Sequence, residues 1–344
     1  MALAANTNAR YSQTQAPGTS DDSPQSLMDF VVNSAPMWTP VLAMMTRGKK
    51  PINIEHEWVL DNSGAYPTSP TALRRGEGQD FDPAATATRY RMFNRTGIWG
   101  YSWYVTDTQE AIDKIGINSE LDYQEVKYSR ALVRDFEVKV IQANINNDSA
   151  GPNTATTASQ FREMGGLIQQ ITTLNSFARN GPVPAVAWGY DHDSSSSVNE
   201  SDLITPLRTI RDRGGVRGVT TLIMSSAAKV VMSSVFSPFP SGTMPASTAT
   251  VYRRYYGSDA AYEVALTVDE IATDVGRCHA MIADAVPAAT VIGFNPDYFH
   301  LNVLRDFTLY DLARVAPAAA QGIEAEMTCS LIMPASAFRI TNWA

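Results

Sequence analysis

The longest periodic pattern in the sequence predicts one long helix over residues 119–146. Ser119 or Asn118 supplies the N-cap, and Glu120 and Asp122 follow in the first turn, where the helix dipole favours anions. Two apolar stripes run side by side at helical spacing: Leu121, Tyr128, Leu132 and Phe136 in one, and Val126, Val133 and Val140 in the other. No Gly or Pro interrupts this stretch, so the helix would be about 42 Å long. Such a helix in a mixed chain indicates a structural spine.

A second pattern, with period two, predicts a long hairpin. In residues 53–61, Ile54, His56, Trp58 and Leu60 alternate with Glu55, Glu57 and Asp61, which is typical of a strand with two different faces. Residues 88–106 continue the alternation as one long strand, after a loop over 62–86 rich in Gly, Pro and Ser. Both faces carry charged and aromatic groups and neither is apolar throughout. We therefore interpret the hairpin as an arm that reaches another chain; an ordinary edge hairpin with a long loop is the alternative.

The rest of the chain alternates short elements between polar segments. Residues 1–26 form a polar tail, and a Ser-rich linker over 180–200 indicates a domain boundary. The remaining predicted elements are two short helices within 27–50, helices at 201–213 and 226–235, strands at 219–224, 262–273, 277–284, 288–293 and 298–304, and a closing strand pair over 322–341. This order predicts an α+β fold, mostly antiparallel late in the chain, without regular βαβ alternation.

Composition shifts this picture towards an assembly subunit. Only 18% of the 344 residues are charged, which is low for a freely soluble domain and indicates that much of the surface serves contacts. The net charge of −8 argues against a dedicated nucleic-acid binder, although it leaves room for a wall that contains DNA without gripping it. We expect neither a signal peptide nor a membrane-spanning segment. Two cysteines without CxxC spacing, Cys278 and Cys329, are expected to be reduced and buried.

No motif in the sequence indicates catalysis or a cofactor. Nucleophile-elbow, P-loop, dinucleotide and zinc-protease motifs are all missing. His192 lies between Asp191 and Asp193, but without a second nearby histidine a surface loop is favoured over a metal site. His279 follows Cys278 on a predicted strand, so the two side chains point to opposite faces and cannot form a dyad. We expect no catalytic, cofactor or metal site.

Charge is unevenly distributed along the chain. Residues 47–95 contain eight basic and six acidic residues, a net charge of +2, which leaves −10 for the remainder. A cationic arm beside an anionic body suits head-to-tail contact between copies, whereas a DNA-binding arm is the competing interpretation. The candidate inter-subunit contacts are the basic and aromatic residues of this region: Arg47, Lys49, Lys50, Trp58, Arg89, Arg91, Arg95, Trp99 and Trp103.

The order of these elements resembles the major capsid proteins of tailed bacteriophages, which have the Hong Kong 97-type fold. Short runs of residues carry the similarity from about residue 27 to 341: Thr46-Arg47-Gly48-Lys49-Lys50 followed by Glu55-His56-Glu57-Trp58, Asn94-Arg95-Thr96, Val105-Thr106-Asp107-Thr108-Gln109-Glu110-Ala111, Ala131-Leu132-Val133-Arg134-Asp135-Phe136-Glu137, Met164-Gly165-Gly166-Leu167, Leu304-Arg305-Asp306-Phe307 and Glu326-Met327-Thr328. Each run is short, and their order over the chain makes the resemblance specific.

The resemblance implies a division of the chain and a partner for each part. Residues 1–50 would be the N-terminal arm, 51–106 the extended hairpin loop lying over a neighbour, 107–199 the peripheral domain with its spine helix, 200–310 mainly the axial domain, and 311–344 the return strands of the peripheral domain. Neither a cleaved N-terminal scaffolding segment nor cross-linked side chains are expected.

By the same resemblance, the chain would be a structural protein of the virion that is assembled in the host cytoplasm. Copies would form hexamers and pentamers of an icosahedral shell around double-stranded DNA, without sequence-specific contact, together with portal and decoration proteins. Two other interpretations stay open at this point: the shell of an encapsulin-like cellular nanocompartment, and an enzyme whose site is unrecognised.

Overall fold

The computed structural model describes eleven stretches of the chain. They are residues 39–61, 77–78, 89–112, 118–145, 162–184, 187–194, 198–213, 218–235, 270–273, 275–314 and 316–343. The predicted polar tail, the first short helix within 27–50, most of the loop over 62–86 and the start of the strand predicted at 262–273 lie outside the described residues.

Short helices and strands alternate along these stretches. The helices are α1 (Pro40–Met44), α2 (Asp107–Ala111), α3 (Glu120–Gln142), α4 (Leu167–Thr172), α5 (Glu200–Asp212) and α6 (Ser226–Val235). The strands are β1 (Thr46–Arg47), β2 (Glu55–Leu60), β3 (Tyr90–Arg95), β4 (Gly97–Thr106), β5 (Tyr190–Asp193), β6 (Thr221–Met224), β7 (Glu270–Thr273), β8 (Gly276–Ile282), β9 (Val291–Phe294), β10 (Phe299–Asp311), β11 (Ala318–Leu331) and β12 (Phe338–Thr341).

Three sheets organise these strands. A four-stranded sheet has the order β1-β10-β11-β4, and a six-stranded sheet has the order β5-β12-β9-β6-β8-β7. The third sheet is the hairpin of β2 and β3. Most neighbouring strands are antiparallel, and the parallel pairs are β1–β10, β5–β12 and β6–β8. The predicted α+β class with mainly antiparallel pairing is therefore confirmed.

The predicted spine is α3, which packs along the four-stranded sheet. Ser119 caps it by accepting a hydrogen bond from the Asp122 backbone N–H at 3.3 Å. Leu132, Phe136 and Val140 are buried on the side that faces β4 and β11. The helix ends at Gln142, four residues before the predicted end, and its 23 residues span about 34 Å.

Two of the apolar clusters among the described residues are large and form the main cores. The larger one fills the space between α3, α4 and the inner faces of both large sheets, with Phe136, Ile171, Phe294 and Met327 among its members. In the second core, α5 and α6 cover the other face of the six-stranded sheet. The hairpin of β2 and β3 lies outside both cores.

The predicted long strand over 88–106 is divided into β3 and β4 at Thr96. Its backbone N–H donates to Ile54 O at 2.8 Å, closing the hairpin, while its buried hydroxyl donates to Glu326 Oε1 at 2.9 Å. After this residue the chain changes partner, because β4 pairs with β11 along ten residues. The expectation of one continuous strand was wrong. The alternation of apolar and polar residues is a local pattern and does not show where a chain changes its partner strand.

The predicted linker over 180–200 also contains regular structure. Strand β5 lies within it and pairs in parallel with β12, from Tyr190 beside Phe338 to Asp193 beside Thr341. Its composition is polar because it is an edge strand with one open side. Strand β10 likewise continues to Asp311, seven residues beyond the predicted end.

Candidate inter-subunit surface

The β2–β3 hairpin is held by a ladder of ion pairs on one face. Strand register places Glu55 opposite Arg95 and Val59 opposite Arg91. Arg95 Nε lies 3.4 Å from Glu55 Oε1, and Arg91 pairs with Glu57. Arg179, far away in sequence, pairs with both glutamates. Arg91 and Arg95, two of the predicted contact residues, are thus held in ion pairs by glutamates of their own hairpin.

Arg89 differs from the other two hairpin arginines in its exposure. Its Nε lies 3.2 Å from Asp61 Oδ2, and the two side chains are 75% and 49% exposed. The pair is therefore well solvated and contributes little to folding. This arginine remains accessible to another molecule.

The other face of the hairpin is more apolar than the sequence indicated. Met92 is fully buried and Leu60 nearly so, and they pack with Leu174 and Phe177 of a 3₁₀ turn. Trp58 borders the same cluster. The expectation that neither face serves a core was wrong for this described part, because segment 174–183 supplies the apolar partner from outside the hairpin. The hairpin base is fixed to the body of its own chain.

The two tryptophans predicted in the contact also pack within the chain. Trp103 is 5% exposed and stacks on Tyr128 of α3, with ring centroids 5.5 Å apart. Trp99 lies against Phe136, and Lys139 Nζ is 5.5 Å from its ring. Both rings attach β4 to the spine helix.

The basic residues that precede the hairpin are differently placed. Arg47, Lys49 and Lys50 are exposed, and none of them has an ion-pair partner among the described residues. The two lysines line a groove of about 300 Å³ beside β2 together with His56. Burial lowers the pKa of His56, and His300 and Lys49 lower it further by charge repulsion. Glu55, Glu57 and Arg91 line the same groove, so Lys49 and Lys50 are its cations without an ion-pair partner among the described residues.

A buried polar junction joins the hairpin to the four-stranded sheet. Asn94 Nδ2 donates to Gly165 O at 2.9 Å and to Cys329 O at 2.6 Å, and Asn94 Oδ1 accepts from Gly165 N at 2.8 Å. Beside it, the Glu326 carboxylate accepts from Thr96, Arg162 and Arg305. From the sequence, Asn94 and Glu326 stood in short runs that carry the family resemblance, but neither was assigned a role. A usable signal existed, since Asn94 continues the buried phase of Tyr90 and Met92.

The histidines and cysteines do not form a catalytic constellation. His192 Nε2 and Ser194 Oγ both contact the carboxylate of Asp202, at 3.2 and 2.9 Å, so the serine lacks the contact with histidine that would activate it. Burial raises the pKa of Cys278 to about 11 and that of Cys329 to about 12. Both thiols are thus inert at neutral pH.

The described residues offer neither a metal cluster nor a membrane span. No group of three His, Cys, Asp or Glu side chains in them is placed to hold a metal ion. Among the same residues, no helix is both long and apolar enough to cross a membrane.

Comparison with known families identifies the class of protein. The family model of the SU10 major capsid protein matches residues 5–344. The chain belongs to this family. A search of curated proteins finds no significant match. As a member of the family, the chain is a structural protein of a phage capsid shell, so its place is the virion and its state is an oligomeric assembly.

Solved capsid structures share the fold at low sequence identity. The cyanophage A-1(L) capsid asymmetric unit superposes with a TM-score of 0.64 at 12% identity, over 93% of this chain and 97% of that chain. Mycobacterium phage Ogopogo gives a TM-score of 0.57 at 10% identity, over 93% and 96%. The capsid of the native GTA particle gives 0.54 at 10% identity, over 98% and 97%.

These comparisons decide between the interpretations that the sequence left open. The predicted Hong Kong 97-type fold and the shell-forming function are confirmed. The family match favours a phage capsid over an encapsulin-like nanocompartment, and the capsid family is a structural rather than an enzymatic one.

Proposed function

We propose that copies of this capsid protein form hexamers and pentamers of an icosahedral shell, in which each hairpin lies over a neighbouring copy. The observation that carries this proposal is the hairpin, whose described strands lie outside the two large apolar clusters and pack on the body of their own chain through one face. The other face carries solvent-accessible ion pairs, so it is the face left open to a neighbour.

The division of the chain into capsid domains is part of the same proposal. Residues 1–50 serve as the N-terminal arm, 51–106 as the extended hairpin loop and 107–199 as the peripheral domain with its spine. Residues 200–310 serve mainly as the axial domain, and 311–344 return to the peripheral domain. The packing of α3 along β4 and β11 supports a spine role for 120–142, and the pairing of β4 with β11 supports attaching 97–106 to the peripheral sheet.

The candidate contact residues then take two roles. Arg47, Lys49, Lys50 and Arg89 are exposed and carry charge towards a neighbour. The other five candidates have partners in their own chain and support the shape of the surface instead of contacting a neighbour through their charge; they are Arg91, Arg95, Trp58, Trp99 and Trp103. This assignment limits the direct charge contacts to four cations.

The shell encloses double-stranded DNA without sequence-specific contact and without catalysis by this chain. A net charge of −8 supports a wall that does not grip phosphates. Assembly in the host cytoplasm, and attachment of portal and decoration proteins, complete the proposed function.

Electron microscopy of the purified protein under assembly conditions tests this proposal. We expect closed particles with hexameric and pentameric capsomers, and sizing in the same buffers should show them at the expense of small species. A species that stays monomeric at every salt concentration and protein concentration tested would contradict it.

A further inference from the structure

The hairpin presents an open strand edge on the β2 side. Ile54 O accepts from Thr96 N, so alternate residues of β2 from Ile54 onward bond to β3. Glu57 and Val59, in the other phase, point their backbone N–H and C=O groups away from β3. Within the described residues these groups have no backbone partner. On the far side of the hairpin the edge is covered, because Arg179 N donates to Arg91 O.

Strand β10 presents a second open edge, on the peripheral sheet. Its partner on that side, β1, covers only His300 and Leu301. Further along, Leu312 N donates to Ala320 O, so Leu309 and Asp311 point their backbone groups away from β11. On the side of β10 that faces away from β11, no described strand pairs with residues 304–311. An apolar strand edge left open in this way is prone to pair with another strand.

Both edges carry exposed apolar side chains that suit a covered position. Val59 is 61% exposed beside β2, and Phe307 and Leu309 are each 42% exposed on β10. Water contact with side chains of this kind is unfavourable, and pairing the two edges would bury them together.

The unpaired charges beside the two edges are opposite in sign. Lys49 and Lys50 line the groove beside β2 and have no ion-pair partner among the described residues, whereas Glu55 and Glu57 of the same groove are paired with arginines. Strand β10 carries Asp306 and Asp311 without a cationic partner in the described part of the chain, and its Arg305 is paired with Glu324 and Glu326. Pairing β10 with another β10 would gather aspartates at one seam, and pairing β2 with another β2 would gather lysines. Pairing β2 with β10 brings opposite charges together.

We propose that the open edge of β2 in one copy adds as a strand to the open edge of β10 in the neighbouring copy, so that hairpin and peripheral sheet form one intermolecular sheet. The contact joins two different surfaces, so it repeats head to tail and closes into a ring when the rotation allows. Backbone hydrogen bonds supply the attraction, and the lysines and aspartates set the direction. This inference rests on the proposed shell and specifies which strands meet.

Cysteine pairs in assembled particles test the contact. Ile54→Cys or Val59→Cys is combined in turn with Phe307→Cys, Leu309→Cys and Tyr310→Cys, which samples both faces of the two strands. Mild oxidation should link at least one of these six double variants into a ladder of covalent multimers, because paired strands bring Cα atoms within disulfide range. The natural Cys278 and Cys329 are buried and give little background.

The single variants are the matched controls and distinguish the other arrangements. Covalent dimers of Val59→Cys alone would indicate β2–β2 pairing, and dimers of Leu309→Cys alone would indicate β10–β10 pairing; either result overturns the inference. Particles that form normally but link in none of the six combinations overturn it too, while leaving the shell function intact. Failure to form particles at all would instead count against the proposed function.

Amide hydrogen exchange gives a readout specific to backbone pairing. On assembly, exchange should slow by at least about tenfold in the segments 55–60 and 304–311, because their outward N–H groups gain acceptors. Strand β6, which is paired on both sides within the chain, serves as the control and should change little. Unchanged exchange in both edge segments of intact particles would overturn the inference.

Discussion

The Glu137 carboxylate is buried beside the larger apolar core. It is 2% exposed on α3 and accepts a hydrogen bond from the backbone N–H of Leu42 at 3.3 Å, which connects the spine to α1. Burial raises the pKa of Glu137 to about 7, although the hydrogen bonds from Leu42 and Val41 act in the opposite direction. From the sequence, Glu137 stood only in the run 131–137 that carries the family resemblance, and its burial could not be predicted because it depends on the contact with α1.

Glu137→Gln should remove a pH dependence of stability. A raised pKa means that the folded chain holds the proton more tightly than the unfolded chain, so the stabilisation is present below pH 4.5 and is lost as pH rises towards 7. The shift from 4.5 to about 7 corresponds to about 3 kcal/mol. Glutamine keeps the acceptor for Leu42 without charge, so the variant should be the more stable protein at pH 8.

Urea unfolding of the unassembled chain at pH 5 and pH 8 measures this difference. Glu125→Gln, on the same helix but only partly buried, is the control and should keep the pH dependence of the natural protein. Equal stability of Glu137→Gln and the natural protein at pH 8 would argue against a buried charge at this site.

Secondary structure elements show which features a sequence pattern can reveal. The helices α3 and α6 were predicted because their periodic apolar faces are local properties. The break between β3 and β4, and the strand β5, were missed because their partners β11 and β12 lie more than 100 residues away. The basic residues of the hairpin were predicted to face another chain, but their pairing with Glu55 and Glu57 was not anticipated, and neither was Arg179, which joins the same glutamates from another segment.

Asn94 should control how firmly the hairpin is held to the sheet. Asn94→Ala removes three buried hydrogen bonds and leaves the backbone groups of Gly165 and Cys329 with fewer partners, at a cost of about 2–4 kcal/mol. Asn94→Asp should be worse, because a carboxylate would face two carbonyl oxygens. Chemical unfolding of the unassembled chain measures both.

An exposed asparagine provides the matched control for this change. Asn53 Oδ1 contacts only the neighbouring Ile54 N–H, so Asn53→Ala should stay within about 0.5 kcal/mol of the natural protein. Limited proteolysis of Asn94→Ala should cut preferentially near residues 55–95, since the hairpin loosens first. If Asn94→Ala were as stable as Asn53→Ala, the junction would not hold the hairpin.

At the scale of the whole molecule, the chain is organised for contact with its own copies. Its described residues include two large apolar cores and a hairpin outside them, with open strand edges and cations without an ion-pair partner on the surface. Open strand edges are liabilities in an isolated protein, and the contacts proposed above would cover them in the shell. The family match shows independently that the chain forms a capsid shell.

Arg89→Glu is the variant that separates assembly from folding. The pair with Asp61 is highly exposed, so reversing the charge should cost the unassembled chain no more than about 1 kcal/mol. Arg91→Glu is a poorer probe, because it would place a third carboxylate beside Glu57 and disturb the hairpin itself. Particle yield should fall for Arg89→Glu, since a cation proposed to face a neighbour becomes an anion.

The matched control is Arg208→Glu, which breaks a similarly exposed pair on α5 and should assemble normally. Equal yields for the two variants, by sizing and electron microscopy, would remove Arg89 from the contact and leave only the cations that precede β2.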